Sequence, residues 1–378
     1  MRHDLLLVGG HVLDPAGGVE GRRDVAFASG RVAAVDAAIP RETAREVIDV
    51  SSAYVAPGLI DLHAHAFIAG HDLGIETDAV CRATGVTTLC DAGSTGAANF
   101  AGLREYVMAR ADTRVLGFLH IAAIGLSHLA VGEHCYLEYS DPDLAAGVAR
   151  DHRDVVLGVK VRIQTEVVAQ HGLEPLRRGL RAAEAAGVPV IVHVNNPPVE
   201  YGEVLALLRP GDIVSHFLHG RGSGILDAGG RVKDAVRAAR RRGIVFDVAH
   251  GRNHVNFPVA RRALDEGFPP DTISSDLTRP GRAGVVRDLP TTLSKFLSLG
   301  MPLADVVRAA TATPARAIGR GGELGSLAPG AAGDAAVFAV DEGRFAYQDA
   351  DGNTLEGAKR WTPRLTVRAG RVWWRRGP

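Results

Sequence analysis

Six side chains in this 378-residue chain are of the types that hold two metal ions for hydrolysis: His63 and His65, one residue apart, then Lys160, His193, His216 and Asp276. Imidazole and carboxylate groups ligate divalent cations, which polarise a carbonyl and acidify water. An amine that has lost its proton can add carbon dioxide and become an anionic carbamate able to bridge two cations; a guanidinium cannot. Only four of the 43 basic residues are lysines, so arginine serves wherever a bare positive charge is wanted and Lys160 stands out.

A chain with 15 histidines produces a His-x-His pair by chance, so position decides whether the pair matters. Leu59, Asp61, His63 and His65 share one parity, and in a strand alternate side chains leave the same face. Around Lys160, Leu157, Val159 and Val161 alternate with Gly158, Lys160 and Arg162. With the apolar face turned to covering helices, Lys160 points inward; the competing reading is a lysine ion-paired at a barrel mouth.

These positions belong to a recurring pattern. Short β-branched runs at residues 59–63, 86–91, 115–121, 156–161, 188–192, 213–216, 244–248 and 272–275 start 25 to 41 residues apart. A strand, a loop and a crossover helix need about that length, and eight units in order predict an α/β fold, the (β/α)8 TIM barrel. Residues 175–186 read as one of the helices, stopped by Gly187. Each candidate ligand then falls at a strand's C-terminal end, where such barrels assemble their chemistry. His216 competes there with His219, His193 could be a packed core histidine, and Asp276 could merely cap the next helix. His219, His250, Gly251, Asn253, Arg279 and Arg282 lie in loops from which substrate contacts would come. His120 reads as packed, and His134 and Tyr136 as parts of a lid in the long third connection.

Outside residues 56–323 the pattern changes to short strands between Gly-rich turns. Residues 1–55 and 324–378 are expected to meet in one small β-sandwich domain, with 341–362 an exposed hairpin or loop. Hydrophobic residues make up 46% of the chain, enough for a large core, and 43 basic residues balance 43 acidic ones. No basic stripe points to nucleic acid, no long apolar run to a membrane, and a small-molecule substrate is the expected partner, with a homo-oligomer open. Cys81, Cys90 and Cys135 form no spaced framework and read as reduced, in keeping with a cytoplasmic enzyme.

The motifs at 58–65 (Gly-Leu-Ile-Asp-Leu-His-Ala-His), 85–93 and 325–334, with the later ligands, resemble the amidohydrolase superfamily over nearly the whole chain, and within it the dihydroorotase-like deacetylase group. The resemblance implies a binuclear centre, usually Zn2+, with His63, His65 and Asp276 on the buried ion, His193 and His216 on the exposed one, and a Lys160 carbamate between them. It implies hydrolysis of an amide or acyl ester by a bridging hydroxide, with Asp276 as general base and acid. Dihydroorotases carry an Arg two residues past the His pair where this chain has Phe67. A deacetylase is therefore expected ahead of a cyclic amidohydrolase, a mononuclear deaminase or a non-catalytic relative.

Overall fold

In the computed structural model, residues 2–377 are described. Seven strands run parallel and neighbour one another in chain order: Leu59–Ala64, Val86–Gly96, Arg114–His120, Val156–Ile163, Val190–Val194, Ile213–Ser215 and Val245–Asp247. They are buried almost throughout, as a parallel sheet covered by crossover helices must be. The helix Glu174–Ala186 carries Pro in its first turn and ends at Gly187, whose φ of 69° is the left-handed conformation glycine adopts most easily. Its Leu176, Ala182 and Ala183 share a core cluster with Val159, Val161, Val190 and Val192. A β-carbon on Gly179 would lie 2.3 Å from Val161 Cγ2, so the helix rides directly on the strand.

The eighth expected strand, 272–275, is extended but forms no continuous ladder. It makes single parallel bridges, Asp247 to Thr272 on one side and Ala64 to Leu277 on the other, which join the two edges of the seven-stranded sheet. Side-chain carboxylates supply what the ladder lacks. Asp61 accepts from the Ser275 amide (2.9 Å) and hydroxyl, and Asp247 accepts from the hydroxyls of Thr272 (2.7 Å) and Ser274 (2.7 and 2.8 Å).

The strands near both chain ends pair in one eight-stranded sheet, ordered Arg371–Arg375, Thr354–Arg368, Ala335–Gln348, Tyr54–Pro57, His3–Asp14, Val19–Ala28, Arg31–Asp36, with Ala44–Asp49 beside His3–Asp14. Both chain ends meet, as expected, and their strands form one continuous hydrogen-bonded sheet because Tyr54–Pro57 pairs with strands from both ends. Leu5, Phe27, Val55, Val337 and Leu365 form its own core. Residues 341–362 form the hairpin of the two expected alternatives, and it lies against the barrel: the Trp361 amide donates to Ser294 Oγ at 2.9 Å.

Candidate metal centre

The six expected side chains come from five strand ends and converge within a few ångströms. His65 Nε2 stands 3.2 Å, and His63 Nε2 3.7 Å, from Asp276 Oδ1. Lys160 Nζ donates to His63 Nε2 at 3.0 Å. The ring of His216 lies 5.0 Å from that of His63 and 4.1 Å from that of His193, centre to centre. The ligand atoms of His63, His216 and Asp276 lie within 4.8 Å of one another, and so do those of His193, His216 and His254. His254 was not expected there. It follows the seventh strand, and its ring lies 4.0 Å from that of His216, centre to centre, tilted by 41°. Its signal in the sequence was only its place one residue after Asn253.

The proton positions of these imidazoles fit metal ligation. A ligating histidine donates one ring N–H to the protein and keeps the other nitrogen's lone pair free. His216 Nδ1 donates to the Ala249 carbonyl (2.7 Å), leaving Nε2 buried without a partner. His63 Nδ1 meets Ser215 Oγ at 3.1 Å with Asp247 Oδ2 at 3.7 Å, and His65 Nδ1 meets Ser94 Oγ at 3.0 Å. His193 Nε2 is likewise buried and unpartnered. Burial holds the pKa of His63, His193 and His216 well below the usual imidazole value, so each stands neutral. The Lys160 amine, buried in the same place, is pushed down to about 7. His216 (φ 69°) and Asp276 (φ 47°) both hold left-handed backbone, a strain of about 1–3 kcal/mol each that concentrates at functional sites.

Residues 54–372 match the amidohydrolase family. The chain belongs to the amidohydrolase family. The deacetylase Atu3266 of Agrobacterium fabrum is 35% identical over 340 residues, covering 89% of this chain and 83% of its own. Among solved structures, an adenine deaminase superposes with a TM-score of 0.92 at 29% identity, covering 99% of this chain and 100% of that one. A dihydroorotase superposes at 0.88 and 33% identity, covering 97% of each. This amidohydrolase therefore shares the barrel fold of those enzymes and is a hydrolase acting at carbon–nitrogen bonds. None of its described helices is long and apolar enough to cross a membrane.

A cavity of about 260 Å³ opens over the centre. His65, Lys160, His193, Asn253, His254 and Asp276 line it, joined by Asn195 and by three arginines, Arg162, Arg221 and Arg252. Several expected substrate contacts lie elsewhere. His219 is buried and accepts the Arg221 amide at its Nδ1 (3.2 Å), outside the cavity lining. His250 is fully buried and bound to Lys295 (2.8 Å). Gly251 is required by shape: with φ 49° it passes so close behind the centre that a β-carbon would lie 2.3 Å from Asp276 Oδ2. Arg279 and Arg282 are exposed on the short helix Arg279–Ala283, which Thr278 caps (3.1 Å to the Gly281 amide) and which takes them off the cavity wall.

His120, Glu133 and His134 form a third cluster close enough to hold an ion. There the lone pair of His120 is already used by the backbone. His120 Nδ1 accepts the Ala122 amide (3.0 Å), so the proton of the neutral ring sits on Nε2, 3.6 Å from Glu133. Glu133 accepts from Arg162 Nη1 at 2.9 and 3.1 Å, and its carboxyl is held below the usual range: burial raises it, and the Arg162 and His120 contacts outweigh that. The long third connection thus anchors an arginine of the cavity, which the sequence did not disclose.

Proposed function

We propose that this amidohydrolase removes an acyl group, in the first instance acetyl, from a small molecule that carries a carboxylate. His63, His65, His193, His216, Asp276 and a carbamate on Lys160 would hold two divalent cations, and the donor set accepts zinc among other divalent metals. When bound, the cations supply Lewis acidity at the carbonyl oxygen and lower the pKa of water. The chain's own groups do the rest. Asp276 takes a proton from the attacking water at a carboxylate oxygen and returns it to the leaving group. His254 is held beside it, Nε2 3.7 Å from Asp276 Oδ2, by Asn195 Nδ2 donating to Nδ1 at 2.7 Å. Asn195 Oδ1, buried without a partner on the cavity wall, is placed to accept a hydrogen from substrate.

The observation that carries the reading is the convergence of six donor side chains, His63 and His65 beside Asp276, Lys160 on His63 and His193 beside His216, more than one tetrahedral ion takes. For the substrate, the support is the charge of the wall: Arg162, Arg221 and Arg252 face the cavity and Asp276 is its only acidic residue. Phe67 adds no cation where a dihydroorotase has one; its ring packs over Gly70. Assays of metal-loaded protein against N-acetyl amino acids, O-acetyl hydroxy acids, uncharged acetamides and cyclic amides, with metal counted per chain, test this. About two ions and a preference for acylated carboxylates are expected. One ion per chain with release of ammonia from an aminopurine would replace the reading with a deaminase.

A further inference from the structure

The loop after the seventh strand carries Arg252, Asn253 and His254 to the cavity, and it is held from outside the barrel. At its start, His250 Nδ1 donates to the Gly251 carbonyl (2.8 Å) and Nε2 accepts from Lys295 Nζ (2.8 Å). Lys295 is 1% exposed and donates its other two protons to the carbonyls of Val285 (2.7 Å) and Gln348 (2.8 Å). Gln348 is the last residue of Ala335–Gln348, in the terminal sheet. At the loop's far end the turn that follows Gln348 takes over. The Ala350 amide donates to the Val255 carbonyl (3.0 Å), Asn256 Nδ2 to Asp351 Oδ2 (2.9 Å) and the Phe257 amide to Asp349 Oδ2 (2.7 Å). Asp349 is 1% exposed and also shapes the turn, accepting the amides of Asp351 and Asn353 at 2.9 Å each. Asp351 Oδ1 stands 3.8 Å from Arg221, a cavity residue.

Both ends of the loop therefore rest on one hairpin while the residues between face the centre. We propose that the turn at 348–353 is a positioning element of the active site: Asp349 and Lys295 fix the 250–257 loop, and Asp351 sets the direction of Arg221 at the cavity rim. A half-exposed ion pair contributes only about 0–1 kcal/mol to stability. The effect of Asp351 falls on where the guanidinium points. The Arg221 part rests on the anionic-substrate reading above, and the loop part does not.

The test uses full-length, metal-loaded protein with Asp349→Ala, Asp349→Asn and Asp351→Ala. Asp341→Ala on the same hairpin is the control, because Asp341 pairs there with Arg360 (3.2 Å) and Thr362 (2.6 Å) away from the loop. Asp349→Ala is expected to speed hydrogen–deuterium exchange across 250–257 by about tenfold or more at unchanged metal per chain. Asp349→Asn, which keeps an acceptor oxygen, gives an intermediate rate and carries the test if the alanine variant does not fold. Asp351→Ala raises KM for an acylated carboxylate about five- to tenfold with kcat nearly constant, and leaves KM for an uncharged acetamide unchanged. Faster exchange with unaltered KM for charged substrates overturns the Arg221 part and upholds the loop part. Unaltered exchange in Asp349→Ala, or the same changes in Asp341→Ala, overturns the whole.

Discussion

At Lys160 the chemistry turns on one proton. Burial brings its amine to about pH 7, and only the neutral amine adds carbon dioxide. The neutral fraction grows as pH rises through that value, so metal uptake by stripped protein in bicarbonate is expected to climb through pH 7 and fail below about pH 6. Metal per chain measured across that range checks it; uptake independent of pH and bicarbonate would remove the carbamate. Lys160→Ala is expected to lose the bridging ion and nearly all activity, with some restored by short carboxylic acids. Asp247 acts one step back. Its carboxylate stands 3.7 Å from His63 Nδ1, and burial raises its pKa to about 7. Asp247→Asn is expected to weaken metal binding by about 10–100-fold without unfolding the protein, because the charge beside the His63 ring is lost. Competition with a chelator measures that. The six candidate side chains were legible because their residue types are uncommon and their parity was readable along single strands. His254, Asn195 and Arg162 were not, since a loop has no period and an Arg among 39 carries no signal of its own.

Among the elements, the segment 272–277 shows how a weak strand can be the most demanding one. Its backbone departs from the ladder where Asp276 turns to φ 47°, and the Asp61 and Asp247 carboxylates hold what the ladder releases. Gly251 lets the neighbouring loop pass behind that turn. Gly251→Ala would place a β-carbon 2.3 Å from Asp276 Oδ2 in a left-handed conformation. It is expected to cost about 1–3 kcal/mol of stability and most of the activity. Thermal unfolding together with kcat reads both, and a fully active alanine variant would show that Asp276 has more room than this packing allows. The seven ladder strands were readable within two residues or so at most ends, except at the end of Val86–Gly96, which runs on past 91.

For the molecule as a whole, the terminal sheet is wired to the catalytic face. Phe338 stacks between Trp361 of the C-terminal hairpin (3.4 Å between ring centres) and Tyr54 (5.4 Å), the residue that opens the strand leading into the barrel. Phe338 is fully buried, so Phe338→Ala is expected to destabilise the fold by about 3–5 kcal/mol. Metal per folded chain should be unchanged, which denaturant unfolding and metal analysis of the soluble fraction together check. Removing metal should lower the thermal midpoint, because ions that bind only the folded state stabilise it by mass action.

The sequence by itself determined the parallel barrel, the six side chains that meet at its strand ends and the class of chemistry, because strand periodicity and residue type are local and survive without a third dimension. Tertiary structure decided how the groups are shared, bringing His254 beside His193 and His216 and placing His219, His250, Arg279 and Arg282 off the cavity wall. It also decided that the expected hairpin at 341–362 docks on the barrel and that the strands of both chain ends join in one sheet. Those outcomes depend on contacts between residues about a hundred or more positions apart, such as Asp351 with Arg221 and Lys160 with His63, and no repeat or spacing along the chain encodes such meetings.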